Sequence, residues 1–350
     1  MTTFNPNDLG VANGNYFALP YKTEESEIVL VSVPWDVTTS YRPGTHMGPE
    51  AIIDASLQID LFDPLVEEAW KVKIGTHPIE ESLIKKNKRF RKTAEEIIKH
   101  LEEGGDLAEV DDILGDVNTA SEELNSHVAL VAQRYMTNGH IVGIVGGDHS
   151  VPLGNMRAIA EKFEDFGVLH IDAHADLRIE YEGFKYSHAS IMYNVLNEIP
   201  QVSQLTQVGI RDFCQQEADI INDDPRIRCF TDLEIRRNSF EGKSWKRQCE
   251  EIVGSLPANV YISFDIDGLS PDLCPSTGTP VPGGLSFRET DYLLHMLALS
   301  NKRIIGFDLC EVAPGESSEW DANVGARVLY KLCLYTSLNN KRRGSESSKP

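Results

Sequence analysis

Three short stretches of this chain gather acids and histidines at spacings that suit metal chemistry. They are Gly147-Asp148-His149-Ser150, Asp172-Ala173-His174-Ala175-Asp176 and Asp265-Ile266-Asp267. Residues two apart on an extended segment project to the same side. Asp172, His174 and Asp176 can therefore converge on one point, and Asp265 and Asp267 can do the same from a second segment. Two histidines and four aspartates are more than one structural zinc needs, and no cysteine is among them. A carboxylate-rich set with a little imidazole suits Mn²⁺ or a similar ion. Two divalent ions would balance the four aspartates, which without metal would repel one another and raise one another's pKa. Any one stretch alone could be a turn, a cap or a core group; their coincidence points to a site. Asp148 reads as a turn-former and His170, inside a predicted strand, as a satisfied core histidine. His46, His77, His100, His127, His140 and His295 have no convergent company.

Strands must position these groups. Six near-continuous apolar runs, 27–34, 140–146, 166–172, 205–210, 259–265 and 303–309, suit strands buried on both faces of a parallel sheet. The acids and histidines follow the carboxyl ends of four of them, with Glu311 just beyond the last. In open α/β sheets that edge binds ligands. Helix-like segments at 89–103, 120–137, 152–162, 240–256, 287–300 and 321–338 alternate with the runs and predict a three-layer α/β/α sandwich. Residues 82–118 are strongly charged and read as a solvated helical excursion. Residues 1–26 read as an arm packed on this subunit or a neighbour, 27–338 as a single domain, and 339–350 as a disordered tail.

Composition narrows the partners. The 350 residues carry 33 Lys+Arg against 54 Asp+Glu, a net charge of −21, which repels a phosphate backbone and argues against nucleic acid. It suits a protein that handles cations, either metal ions or basic small molecules. No apolar run approaches the ~20 residues that span a bilayer. The N-terminus has neither the basic start nor the apolar core of a secretory signal, so no membrane association and a cytoplasmic location are expected. None of the six cysteines forms a CxxC pair, and they read as reduced.

The motifs resemble the ureohydrolase (arginase/agmatinase) superfamily. The resemblance rests on Gly146-Gly147-Asp148-His149-Ser150, Asp172-Ala173-His174-Ala175-Asp176, Ser263-Phe264-Asp265-Ile266-Asp267-Gly268, Ser276-Thr277-Gly278-Thr279-Pro280 and Gly306-Phe307-Asp308 with Glu311. It covers roughly residues 27–338. It implies a sandwich with an eight-stranded, mainly parallel sheet, a homo-oligomer (trimer or hexamer), and two divalent ions per subunit, Mn²⁺ first and Ni²⁺ as the alternative. Carried over by motif, His149, Asp172, Asp176 and Asp265 hold one ion, and Asp172, His174, Asp265 and Asp267 the other. His188 matches the histidine that supplies a proton to the leaving amine, and Glu311 the acid that holds the guanidinium. The implied reaction hydrolyses a cationic guanidino compound to urea and an amine.

Residues 40–45, 48–52 and 176–188 resemble the agmatinase branch, which implies conversion of agmatine to putrescine and urea. Arginases differ: Arg178 stands where they have Asn, and Cys214 where they have an acid. The match to agmatinases also departs at Ala189, at Met192-Tyr193-Asn194, at Gly209-Ile210-Arg211-Asp212 and at His46. Alternative substrates are therefore guanidine, a substituted guanidine, guanidinobutyrate or arginine. A non-catalytic partner subunit and a one-zinc deacetylase-like hydrolase are the readings from other classes.

Overall fold

The computed structural model describes residues 4–316 and 318–347. Eight strands form one sheet: β1 (Ile28–Val33), β2 (Ile74–His77), β3 (Ile141–Gly146), β4 (Phe166–Ile171), β5 (Val202–Val208), β6 (Ile227–Phe230), β7 (Asn259–Phe264) and β8 (Arg303–Leu309). Their order is β2-β1-β3-β8-β7-β4-β5-β6, and every pair is parallel. Alternate side chains enter opposite cores, which is why the runs read as continuously apolar. On β1, Ile28 and Leu30 join one core, and Val29, Val31 and Val33 the other.

The first core is closed by α1 (Gly48–Ser56), α8 (Trp245–Ser255), α9 (Phe287–Leu299) and α10 (Trp320–Ser347). The second is closed by α2 (Glu81–Glu102), α3 (Asp111–Thr137), α4 (Leu153–Ala160) and α5 (Ile191–Glu198). Two short helices, α6 (Gln215–Asp223) and α7 (Asp232–Phe240), follow β5 and β6. Among the described residues no helix is long and apolar enough to cross a membrane.

The structure corrects the sequence reading in four places. β2 and β6, the two four-residue edge strands, are not among the six apolar runs, because they are short and pair on one side only. The segment 82–118 is not a solvated excursion: Leu83, Ala94, Ile97, Leu114 and Val117 are buried in the second core, and only the outer faces of α2 and α3 carry the charge. The expected helix 240–256 begins later, as α8 at Trp245, after a turn in which Gly242 has φ 90°; a separate helix, α7, ends at Phe240 where the helix is expected to start. The last helix also runs on past residue 339, where a disordered tail is expected to begin. α10 continues to Ser347, and buried Asn339 accepts from the Ile304 N–H and donates to the Ala298 and Lys302 carbonyls; 348–350 lie outside the described residues. The N-terminal arm packs on its own subunit, with Tyr16, Phe17 and Leu19 buried and the Tyr16 hydroxyl 2.8 Å from Ser32 Oγ.

Candidate metal centre and pocket

β3, β8, β7 and β4 are consecutive in the sheet, and their carboxyl ends deliver the candidate ligands to one place. The turn after β3 needs Gly147, since a Cβ there would sit 2.0 Å from the Trp35 carbonyl oxygen. That turn presents His149, whose Nδ1 lies 3.0 Å from Asp172 Oδ2 and 3.3 Å from both Asp176 Oδ2 and Asp265 Oδ2. Beside it, His174 Nδ1 is 3.1 Å from Asp267 Oδ2 and 3.5 Å from Asp172 Oδ1. Donor atoms about 2.1 Å from one ion, at tetrahedral or octahedral angles, lie roughly 3.0–3.4 Å apart. The side chains therefore fit two adjacent divalent ions, with Asp172 facing both histidines.

The electrostatics agree. Burial and the charges of Asp267 and Asp172 push the Asp265 carboxyl well up. Burial and Asp172 push Asp176 up to about 6. Burial would also raise Asp172, but His170, His149 and His174 hold it well below the usual range. Burial would lower His149 and His174, but the surrounding carboxylates hold both well above an ordinary imidazole. A buried cluster that retains protons this way is one that cations would relieve.

Supporting contacts come from across the sheet. His149 Nε2 lies 2.9 Å from Ser263 Oγ, leaving Nδ1 to face the carboxylates. The His149 N–H donates to Glu311 Oε1 at 2.9 Å. Asp176 and Glu311 adopt left-handed backbone, φ 54° and 64°, a conformation that costs a non-glycine residue about 1–3 kcal/mol and concentrates at functional sites. Asp148 serves its turn, its Oδ1 accepting from the Ser150 N–H and Oγ. His170 is fully buried and satisfied, but its Nε2 touches Asp172 at 2.8 Å, so it belongs to the site. Spacing along the chain could not reveal Ser263 or His170, because both act across the sheet or from within a strand.

A cavity of about 280 Å³ opens onto this cluster, and Arg178, Tyr181, His188, Cys214 and Glu311 line it. His188 is half-buried in a short 3₁₀ turn, its N–H donating to Thr38 Oγ1. Its imidazole is pushed down to about 4, by burial first and then by His174, Arg91 and His149. Burial, then Asp148, pushes the Glu311 carboxyl well up. Arg178 stacks 4.7 Å from the Tyr181 ring centroid, with Nε 3.9 Å from Glu217 Oε2. His46 is engaged elsewhere, with Asp36 at 2.7 Å, and His127 with Glu80 at 2.9 Å.

Residues 26–335 match the Arginase family. The chain belongs to the arginase family. It is accordingly a hydrolase that acts on the amidino C–N bond of guanidino compounds. Curated relatives include the N(1)-aminopropylagmatine ureohydrolase of Thermus thermophilus, 34% identical over 90% of this chain and 92% of the relative. The agmatinase of Photorhabdus laumondii is 32% identical over 92% of this chain and 91% of the relative. The agmatine ureohydrolase of Thermoplasma volcanium superposes with a TM-score of 0.72, covering 95% of this chain and 97% of that one at 23% identity, which shows the arginase-family fold.

Proposed function

We propose that this arginase-family hydrolase cleaves agmatine to putrescine and urea using two divalent ions, Mn²⁺ first and Ni²⁺ as the alternative. The convergence of His149 Nδ1 on three aspartate oxygens, beside the His174 pair, carries the metal reading. His149, Asp172, Asp176 and Asp265 would hold one ion, and Asp172, His174, Asp265 and Asp267 the other. Bound there, such ions act as Lewis acids and lower the pKa of water from 15.7 toward about 7.

The remaining roles belong to the chain itself. Glu311, at the cavity wall, takes the cationic guanidinium by charge-assisted hydrogen bonds. His188, neutral at rest, can take a proton and hand it to the departing amine. The carboxylate-rich wall admits a cationic tail. Arg178 is the one Lys or Arg among the described lining residues, and it leans on Glu217 and Tyr181, which leaves a substrate carboxylate poorly served. The names of the relatives support a decarboxylated amine tail. A second reading, N(1)-aminopropylagmatine, is favoured by Asp212, an exposed carboxylate in the same lining that suits a further ammonium group. On the family resemblance, the catalytic unit is a single domain working in the cytoplasm as a homo-oligomer, trimer or hexamer.

The test is urea release from protein loaded separately with Mn²⁺ and Ni²⁺. The panel is agmatine, N(1)-aminopropylagmatine, arginine, guanidinobutyrate, guanidine and methylguanidine. Preference for either agmatine compound supports the proposal and chooses between its two forms. Preference for a small guanidine, above all with Ni²⁺, keeps the reaction and overturns the substrate. Silence on the whole panel favours a non-catalytic partner subunit.

A further inference from the structure

A third buried imidazole stands behind the cluster. His170 Nε2 lies 2.8 Å from Asp172 Oδ2, and it falls close enough to His149 and Asp176 to count, by position alone, as another ligand. Its partner decides otherwise. His170 on β4 is paired in register with Gln207 on β5, so their side chains meet on the same face of the sheet. Both residues are fully buried. Gln207 Nε2 lies 2.8 Å from the Ala175 carbonyl oxygen, an atom that can only accept. The amide is therefore oriented with its nitrogen inward, and that nitrogen lies 3.0 Å from His170 Nδ1. Nδ1 must accept, so a neutral His170 carries its proton on Nε2. A protonated ring nitrogen has no lone pair for a metal; here it donates to Asp172.

The geometry points to His170 and Gln207 as a positioning pair: Gln207 locks His170 as a hydrogen-bond donor, keeps it out of the coordination sphere, and through it fixes the orientation of Asp172, the carboxylate between the two ion sites. This rests on the metal reading proposed above. The same amide also holds the carbonyl that precedes Asp176, so one side chain braces two candidate ligands.

Equilibrium dialysis against Mn²⁺, with bound metal counted by mass spectrometry, tests the pair on the full-length chain. The wild type is expected to saturate at two ions. His170→Phe should still saturate at two, with affinity weakened about 10- to 100-fold, the range for partners that orient metal ligands. His170→Gln, which returns an amide N–H toward Asp172, should recover most of that loss. Gln207→Leu should weaken binding about tenfold alone but no more than about threefold on top of His170→Phe, because residues acting through one contact are not additive. Additive losses, or a His170→Gln variant as weak as His170→Phe, overturn the proposal. Saturation of His170→Phe at one ion overturns it too, by making His170 a ligand. A wild type that binds no ion refutes the metal reading itself, whereas a binding wild type with unaltered variants refutes only the pair. Should His170→Phe fail to fold, His170→Asn, whose amide falls short of Asp172, takes its place in the cycle.

Discussion

His188 sits at the cavity wall with its imidazole pushed down to about 4, so it is neutral at physiological pH and free to accept a proton before returning it. Its turn is held by Thr38 and Ser187. His188→Ala should therefore lower kcat by about 10²- to 10⁴-fold, the usual value of a positioned acid–base group, while bound Mn²⁺ stays at the wild-type count. Steady-state kinetics together with metal analysis check this, and a variant that loses its metal would contradict the role. Five of the six candidate ligands were legible because two-residue spacing on an extended segment already places side chains together, and His149 because its stretch follows a strand run like theirs. Ser263, Gln207 and the true surroundings of His170 were not, because these contacts join residues 37 or more positions apart, His149 to Ser263 past the intervening β8 and His170 to Gln207 on the next strand.

At the scale of elements, α2 shows how a charged run can be misread. Its outer face is solvated, but Asn87 is buried and exchanges hydrogen bonds with both the N–H and the carboxylate of Asp36. Arg91 donates to the carbonyls of Val37 and Thr39. This helix thus clamps the loop after β1, which carries Thr38 to His188 and Ser40 to the cavity. Burial would raise the Asp36 carboxyl, but bonds from His46, Asn87 and the Gly44 N–H outweigh it and hold it below the usual range. A carboxyl lowered by folding contributes stability that is fully present above its unfolded value and lost as pH falls through the folded one. Asp36→Asn should thus cost about 1–3 kcal/mol at neutral pH. Its deficit should shrink as pH drops below about 3.9, the unfolded value. Denaturant midpoints of the two chains across that range test this, and a gap constant with pH would refute it.

For the molecule as a whole, the net charge of −21 is a field that attracts cations. With a carboxylate-lined cavity as its focus, kcat/KM for agmatine should fall as NaCl rises from about 0.01 to 0.5 M, where the screening length shrinks several-fold. Guanidinobutyrate, with no net charge, should show a smaller change. Equal salt dependence for both would mean that the overall charge does not reach the pocket. The sheet order sets where that focus lies. β3 and β4 follow one another in the chain, yet β8 and β7 lie between them, so candidate ligands separated by more than 100 residues, such as His149 and Asp265, come within 3.3 Å.

The layered α/β class and the candidate metal-ligating residues were readable from the chain alone, because apolar periodicity and i, i+2 spacing are local properties that survive without tertiary contacts. It also pointed to the carboxyl edge of the sheet, since acids followed four strand runs. The remainder depends on contacts between distant parts of the chain. Edge strands β2 and β6 exist because a neighbour offers hydrogen bonds, and their own residues carry little β signal. The inner faces of α2 and α3 are buried by the sheet that they cover, and the end of α10 is held by Asn339 reaching across to β8. The role of His170 turns on one amide nitrogen in the next strand, a distinction between donor and ligand that no spacing along a chain encodes.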